Sequence, residues 1–163
     1  MSQDKLLMND AKTKLLLIGT TQQLAKITID GIIVGHSVIA LQSPVRNLGV
    51  WLDSNLSMGD HLTKTSSAAF YYLYNIRRIS KYFSKKCTET LIHAFISSHL
   101  NYCNSLLYGL LSCQIQKLQR VQNSAARLVF QESKFCHTQP LLRALHWLPV
   151  ANRIVFKNFI VNI

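Results

Sequence analysis

The sequence predicts an α+β chain in which a small antiparallel β unit precedes a larger all-helical bundle. Three observations predict it. Short apolar runs broken by glycine and proline occupy the chain as far as Trp51. Apolar residues recurring at helical spacing take over after Ser57. Charge divides at nearly the same place: residues 1–60 hold five Lys and Arg against five Asp, whereas residues 61–163 hold thirteen against Glu89 and Glu132. The C-terminal block therefore carries the whole formal charge of +11.

The elements follow in order. "KTKLLLIGT", from Lys12 to Thr20, is an apolar run ending near glycine and reads as a buried strand. In "AKITIDGIIVGHSVIAL", Asp30-Gly31 and Gly35-His36 are turn signals, because glycine tolerates the positive φ of tight hairpins. They predict strands at 27–29, 32–34 and 38–41. Ser43-Pro44 breaks the chain before "VRNLGVWLD", a further strand. Ser57 or Asp60 can cap the next helix, where Leu62, Ala69, Leu73, Ile76 and Phe83 keep helical spacing. A second helix is expected around 89–100, started by Ser84 or Thr88, with Asn101 capping a continuation that Gly109 stops. "SCQIQKLQRVQNSAARLVF" is the clearest helix. Ile115, Leu118, Val121, Ala125, Leu128 and Val129 make its apolar face, and Lys117, Arg120 and Arg127 fall together opposite. The last stretch gives a short helix, a packed corner at His146 and Trp147, and a final helix with Pro149 near its first turn. The units are drawn at 1–56 and 57–163.

Several classes are excluded. The composition, 48% hydrophobic and 15% charged, is not that of a disordered chain. The first fourteen residues do not read as a signal peptide, so an intracellular, non-secreted protein with free thiols is expected. Residues 90–116 lack Lys, Arg, Asp and Glu, but His93, His99, Asn101, Asn104, Gln114 and Gln116 exclude a membrane span. His93, His99, Cys103 and Cys113 lack the paired spacing of a zinc site, so no metal is expected. No two of the seven acidic residues are adjacent, and no nucleophile elbow or phosphate-cradling glycine loop is present. The chain is not expected to be an enzyme. Its charge asymmetry points to a polyanion, nucleic acid before a membrane surface, or to a solvated basic face.

Four runs carry a family resemblance: "NDAKTKLLLIGT", "VRNLGVWLDSNLSMGDHLTKT", "YCNSLLYGL" with "IQKLQRVQNSAARLV", and "LHWLPVANRIVFK". Together they resemble the C-terminal part of reverse transcriptases from LINE-type retrotransposons without long terminal repeats, the chicken-repeat and jockey-like group in particular. The resemblance implies the end of a polymerase palm followed by a helical thumb. It places Lys12 of "NDAKT" at the family's palm lysine, a position where a solvated strand-entry lysine fits equally. It makes "NLGVWLD" the primer-grip hairpin, with Leu48, Gly49 and Val50 near a primer end or in the sheet core. The family's aspartate pair and its magnesium are expected upstream of Met1, which makes this a truncated copy without a cofactor of its own.

The expected residual capability is nonspecific grip on RNA or an RNA–DNA duplex through phosphate contacts. The candidates are Arg77, Arg78, Lys81, Lys85, Lys86, Lys117, Arg120 and Arg127. Tyr71, Tyr72 and Tyr74 interleave with this charge and are candidates for stacking or for core. No small-molecule substrate is expected. The alternatives are a basic helical module for an acidic protein partner, and a decayed reading frame.

Overall fold

A computed structural model describes residues 12–34 and 37–161. The chain divides into two compact units, Met1–Asp60 and His61–Ile163. The fold is α+β, with small antiparallel hairpins in the first unit and helices making up the second.

In the first unit, Thr20 opens a one-turn helix α1 (Thr21–Leu24) through a reciprocal capping box. Its hydroxyl accepts from Gln23 N–H at 3.3 Å, and its own N–H donates to Gln23 Oε1 at 2.9 Å. That cap ends the apolar run expected as a strand over Lys12 to Thr20. What remains of it is one parallel bridge between Leu15 and Leu41, since a strand persists only where a partner extends the ladder. The expected strand at 27–29 is likewise irregular.

Strands β1 (Gly31–Val34) and β2 (Ser37–Ala40) pair antiparallel, with Gly31 opposite Ala40 and Val34 opposite Ser37. Gly31 is thus a strand residue rather than a turn residue. A Cβ there would stand 2.6 Å from the Ile39 carbonyl oxygen, so glycine is required for backbone approach. The Gly35-His36 turn signal lies outside the described residues.

The segment from Val45 is a hairpin rather than a single strand: β3 (Val45–Asn47) pairs with β4 (Val50–Leu52). Its loop, Leu48-Gly49, has φ of 45° and 87°, the signs of a type I′ turn. Loop hydrogen bonds complete the unit. Gly19 N–H donates to the Ser54 carbonyl at 3.0 Å, and Asn55 Nδ2 donates to the Gly19 carbonyl at 3.2 Å.

Helix α2 (Gly59–Ser80) follows. Asp53 accepts from Ser57 N–H at 2.7 Å, and the Ser57 hydroxyl accepts from Gly59 N–H at 3.3 Å. Ser57 therefore satisfies a first-turn donor, while Asp60 contributes its charge to the first turn.

In the second unit, Ser84 caps α3 (Lys85–Ile92) by accepting from Cys87 N–H at 3.2 Å, which starts the helix before the expected Glu89. The helix continues through a π-helical segment, His93–Ser97, into α4 (Ser98–Asn101). Asn101 does not cap a further helix. Tyr102 is extended, Cys103 is left-handed, and a 3-10 turn (Asn104–Leu107) leads to Gly109 at φ 81°. Asn101 instead holds the C-terminal helix: its Oδ1 accepts from Arg153 at 3.2 Å and its carbonyl from Lys157 at 2.8 Å.

The core forms around α5 (Ser112–Phe130), which packs against α3, α6 (Thr138–Ala144) and α7 (Val150–Val161). Its buried face is the expected one, with Leu118 1% exposed. A glutamine clamp on the same helix joins it to the corner before α7. Gln119 Oε1 accepts from Val150 N–H, and Gln122 Nε2 donates to the Leu148 carbonyl, both at 2.9 Å. Trp147 is buried in that corner, edge-on to His93 at 5.3 Å between ring centroids.

Helices α5 and α6 end in the same motif. After α5, Gln131 is left-handed, its N–H donates to Leu128, and Glu132 N–H donates to Arg127. After α6, His146 is left-handed, its N–H donates to Arg143, and Trp147 N–H donates to Leu142. This is the Schellman pattern, in which glycine normally occupies the left-handed position. Replacing Gln131 or His146 with glycine relieves a side-chain penalty of about 1–2 kcal/mol, partly offset by the entropy of the unfolded chain. Each variant is expected to gain roughly 0.5 kcal/mol in urea unfolding. A loss on substitution would mean that these side chains make contacts worth more than the strain.

Candidate nucleic-acid interface

The basic residues concentrate where α2 turns into α3. Arg77 and Arg78 are exposed on the last turn of α2. The chain leaves the helix through Lys81, Tyr82 and Phe83, with Tyr82 N–H donating to Ile79 and Phe83 N–H to Ser80. Ser84 then caps α3, and Lys85 and Lys86 are its first two residues. No acidic residue lies in that first turn. Carboxylates there stabilise a helix by about 0.3–1 kcal/mol and lysines do the reverse, so local helix physics does not account for this pair.

The cations of the corner differ in what already engages them. Lys85 Nζ stands 3.6 Å from the Phe130 ring centroid, a cation–π contact that ties the start of α3 to the end of α5. Lys81 lies over the adjacent Tyr82 ring at 4.8 Å, and Arg78 over Tyr74 at 6.0 Å. None of Arg77, Arg78, Lys81 and Lys86 forms an ion pair among the described residues. Glu89 Oε1 lies 3.7 Å from the His93 imidazole one turn on, not from any of these cations.

The three cations of α5 share a side of the helix but not an environment. Lys117 is exposed and donates to the Thr63 hydroxyl of α2 at 3.3 Å. Arg120 is exposed and makes no hydrogen bond or ion pair among the described residues. Arg127 is half-buried, and its Nε donates to the Cys136 carbonyl at 3.0 Å. Its guanidinium closes the loop after α5, a role invisible in a helical stripe because the acceptor is backbone nine residues on.

The tyrosines also separate. Tyr71 and Tyr74 are exposed, whereas Tyr72 is half-buried, stacked on His99 at 5.4 Å and tilted against Phe95 at 5.6 Å. Beside Tyr74 runs a small groove between α2 and α5, lined by Phe70, Leu73, Tyr74, Arg77, Ser124 and Leu128.

In the first unit, Lys12 is exposed and lines a groove with Lys14, Arg46 and Asn47, next to the β3–β4 hairpin. The hairpin residues do not share one environment: Leu48 is 84% exposed at the tip, Gly49 is half-buried beside it, and Val50 is buried in β4.

Burial pushes the His61 imidazole below its ordinary pKa. Burial also lowers that of Arg153, which stays charged and donates to Asn101 Oδ1 and the Leu148 carbonyl. Among the described residues, no three His, Cys, Asp or Glu side chains group to hold a metal ion. No described helix is long and apolar enough to cross a membrane. No protein-family profile, curated protein or solved structure matches the chain.

Proposed function

We propose that the helical unit grips the backbone of an RNA–DNA or RNA duplex without reading its sequence. On this reading the chain is the end of the palm and the thumb of a LINE-type reverse transcriptase. The observation that carries the proposal is the α2–α3 corner. Five cations fall within ten residues there; at the disfavoured start of α3 the Phe130 ring engages Lys85, whereas Lys86 has no ion pair among the described residues and is open to an external anion. Phosphate supplies that anion, and contacts to it position a duplex without specifying bases. On this reading the chain binds template and primer, and the carboxylates that copy them belong to the parent enzyme's palm.

The experiment is a salt titration of the full chain against a fluorescent RNA–DNA hybrid. If about four phosphates are neutralised, log K falls against log salt with a slope of about −3 to −4, and scrambled sequences bind alike. An acidic peptide of matched charge should compete poorly. No binding at low salt, or equal competition by the peptide, overturns the proposal, and the second outcome makes the unit a protein-binding module.

A further inference from the structure

The groove between α2 and α5 is not explained by phosphate contacts. Its floor is apolar, with Leu73 and Leu128 both buried. Two aromatic side chains stand at its edge, Phe70 42% and Tyr74 63% exposed. Arg77, which has no carboxylate partner among the described residues, stands at the same edge one turn from Tyr74. The Ser124 hydroxyl also lines it and makes no hydrogen bond among the described residues. The cavity holds about 190 Å³, below the roughly 300–1,000 Å³ that drug-sized ligands occupy, so it suits a single planar ring system.

We propose that this groove receives one unpaired nucleobase next to the end of the gripped duplex. The inference rests on the duplex-binding reading and narrows it to a duplex with a single-stranded overhang. Aromatic rings recognise a base by its π-face, which is available only where the base has left the stack. The apolar floor accepts the ring, and the Ser124 hydroxyl can both donate to and accept from a base edge, which admits any base. Arg77 meets the phosphate that accompanies the base, and Arg78, over the Tyr74 ring, adds to the same field. An apolar protein side chain in the groove would satisfy the floor but bring no anion to Arg77. The positively charged corner beside the groove favours the nucleotide.

The test compares a blunt RNA–DNA hybrid with the same hybrid carrying a three-nucleotide 3′ overhang, and in a second arm a 5′ overhang. The first unpaired position is 2-aminopurine. The full chain should bind one overhang about 5- to 150-fold more tightly than the blunt hybrid, the effect of stacking one base on an aromatic side chain. Occupancy of the groove changes the 2-aminopurine emission. Phe70→Ala and Tyr74→Ala should each remove most of the preference and the emission change, and the preference is read as the overhang-to-blunt ratio within each variant, because Tyr74→Ala also frees Arg78. Tyr74→Phe should restore both, since the ring rather than the hydroxyl stacks. Circular dichroism checks that α2 is intact in each variant. Equal affinity for blunt and overhanging hybrids, with the blunt complex formed as expected, overturns the groove proposal and leaves the duplex grip standing. A preference that survives both alanine variants also overturns it. Failure to bind any hybrid overturns both.

Discussion

Amide exchange in the strands β1 to β4 should run at least about a hundredfold faster than in the middle of α5. Each tenfold corresponds to about 1.4 kcal/mol of opening free energy, so the expected gap is about 3 kcal/mol or more. The reason is burial and pairing. Ile39, Val45, Val50 and Met58 are the buried apolar residues described in the first unit, against twenty in the second. The strands form two separate two-stranded hairpins, each with unpaired edges, and such hairpins are marginal in water on their own. Ile32, Ile33 and Val38 are exposed on the first of them, and Leu48 holds a left-handed conformation at the tip of the second. Helix α5, by contrast, is central to the helical core and is closed at its end by the Arg127 and Lys85 contacts. Hydrogen exchange read by mass spectrometry at peptide level is sufficient. Protection over β3 and β4 equal to that around Leu118 would show that the hairpin unit is self-sufficient, and the contrast drawn from burial would fail.

The contrast between the units also governs how much of the fold was legible in the sequence. Helix α5 runs from Ser112 to Phe130, as its pattern predicts, because nineteen residues at a 3.6-residue period leave little ambiguity. Ser84 was one of two caps the sequence offers, Ser84 or Thr88, and the structure selects it. Strands of three or four residues depend on a distant partner, so the apolar run before Thr20 offered no means of telling a strand from a segment ended by a capping box. Gly31 was identifiable as special, but its cause, a carbonyl 2.6 Å from a would-be Cβ, exists only once the hairpin has formed. At the candidate site, charge counting groups Arg77, Arg78, Lys81, Lys85 and Lys86 because they are close along the chain, and the structure places them at the end of α2 and the start of α3. Such counting could not separate Arg120 from Arg127, because a guanidinium satisfied by the Cys136 carbonyl looks the same in sequence as one facing solvent. The groove was missed because it needs residues 70–77 and 124–128 on one surface. The available signal was Phe70, Tyr74 and Arg77 at i, i+4 and i+7, one exposed edge of α2.

Replacing Arg77, Arg78, Lys81 and Lys86 together with glutamine should abolish most of the salt dependence of duplex binding. Four phosphate contacts at about 0.9 each account for a slope near −3.6, so the variant should approach a flat line. Across a fourfold rise in salt, from about 50 to 200 mM, the unmodified chain should lose roughly a hundredfold in affinity and the variant little from an already weak value. Lys85 is left in place because its ammonium holds the Phe130 ring, and removing it would mix a packing effect with a charge effect. Glutamine is nearly as good a helix former as lysine or arginine, so α2 and α3 should persist. The comparison set on α5 should behave differently. Lys117→Gln and Arg120→Gln together should leave the slope nearly unchanged, because the corner already accounts for it. Arg127→Gln should leave the slope unchanged and instead lower stability by about 1.5–3 kcal/mol, the range for a hydrogen bond to a charged group. Anisotropy titrations of the three variants, each with a urea melt, separate these effects. If the corner variant keeps the full slope while the Lys117 and Arg120 pair removes it, the duplex lies along α5 and the corner is a solvated turn. If neither changes the slope, phosphate is not what these cations meet.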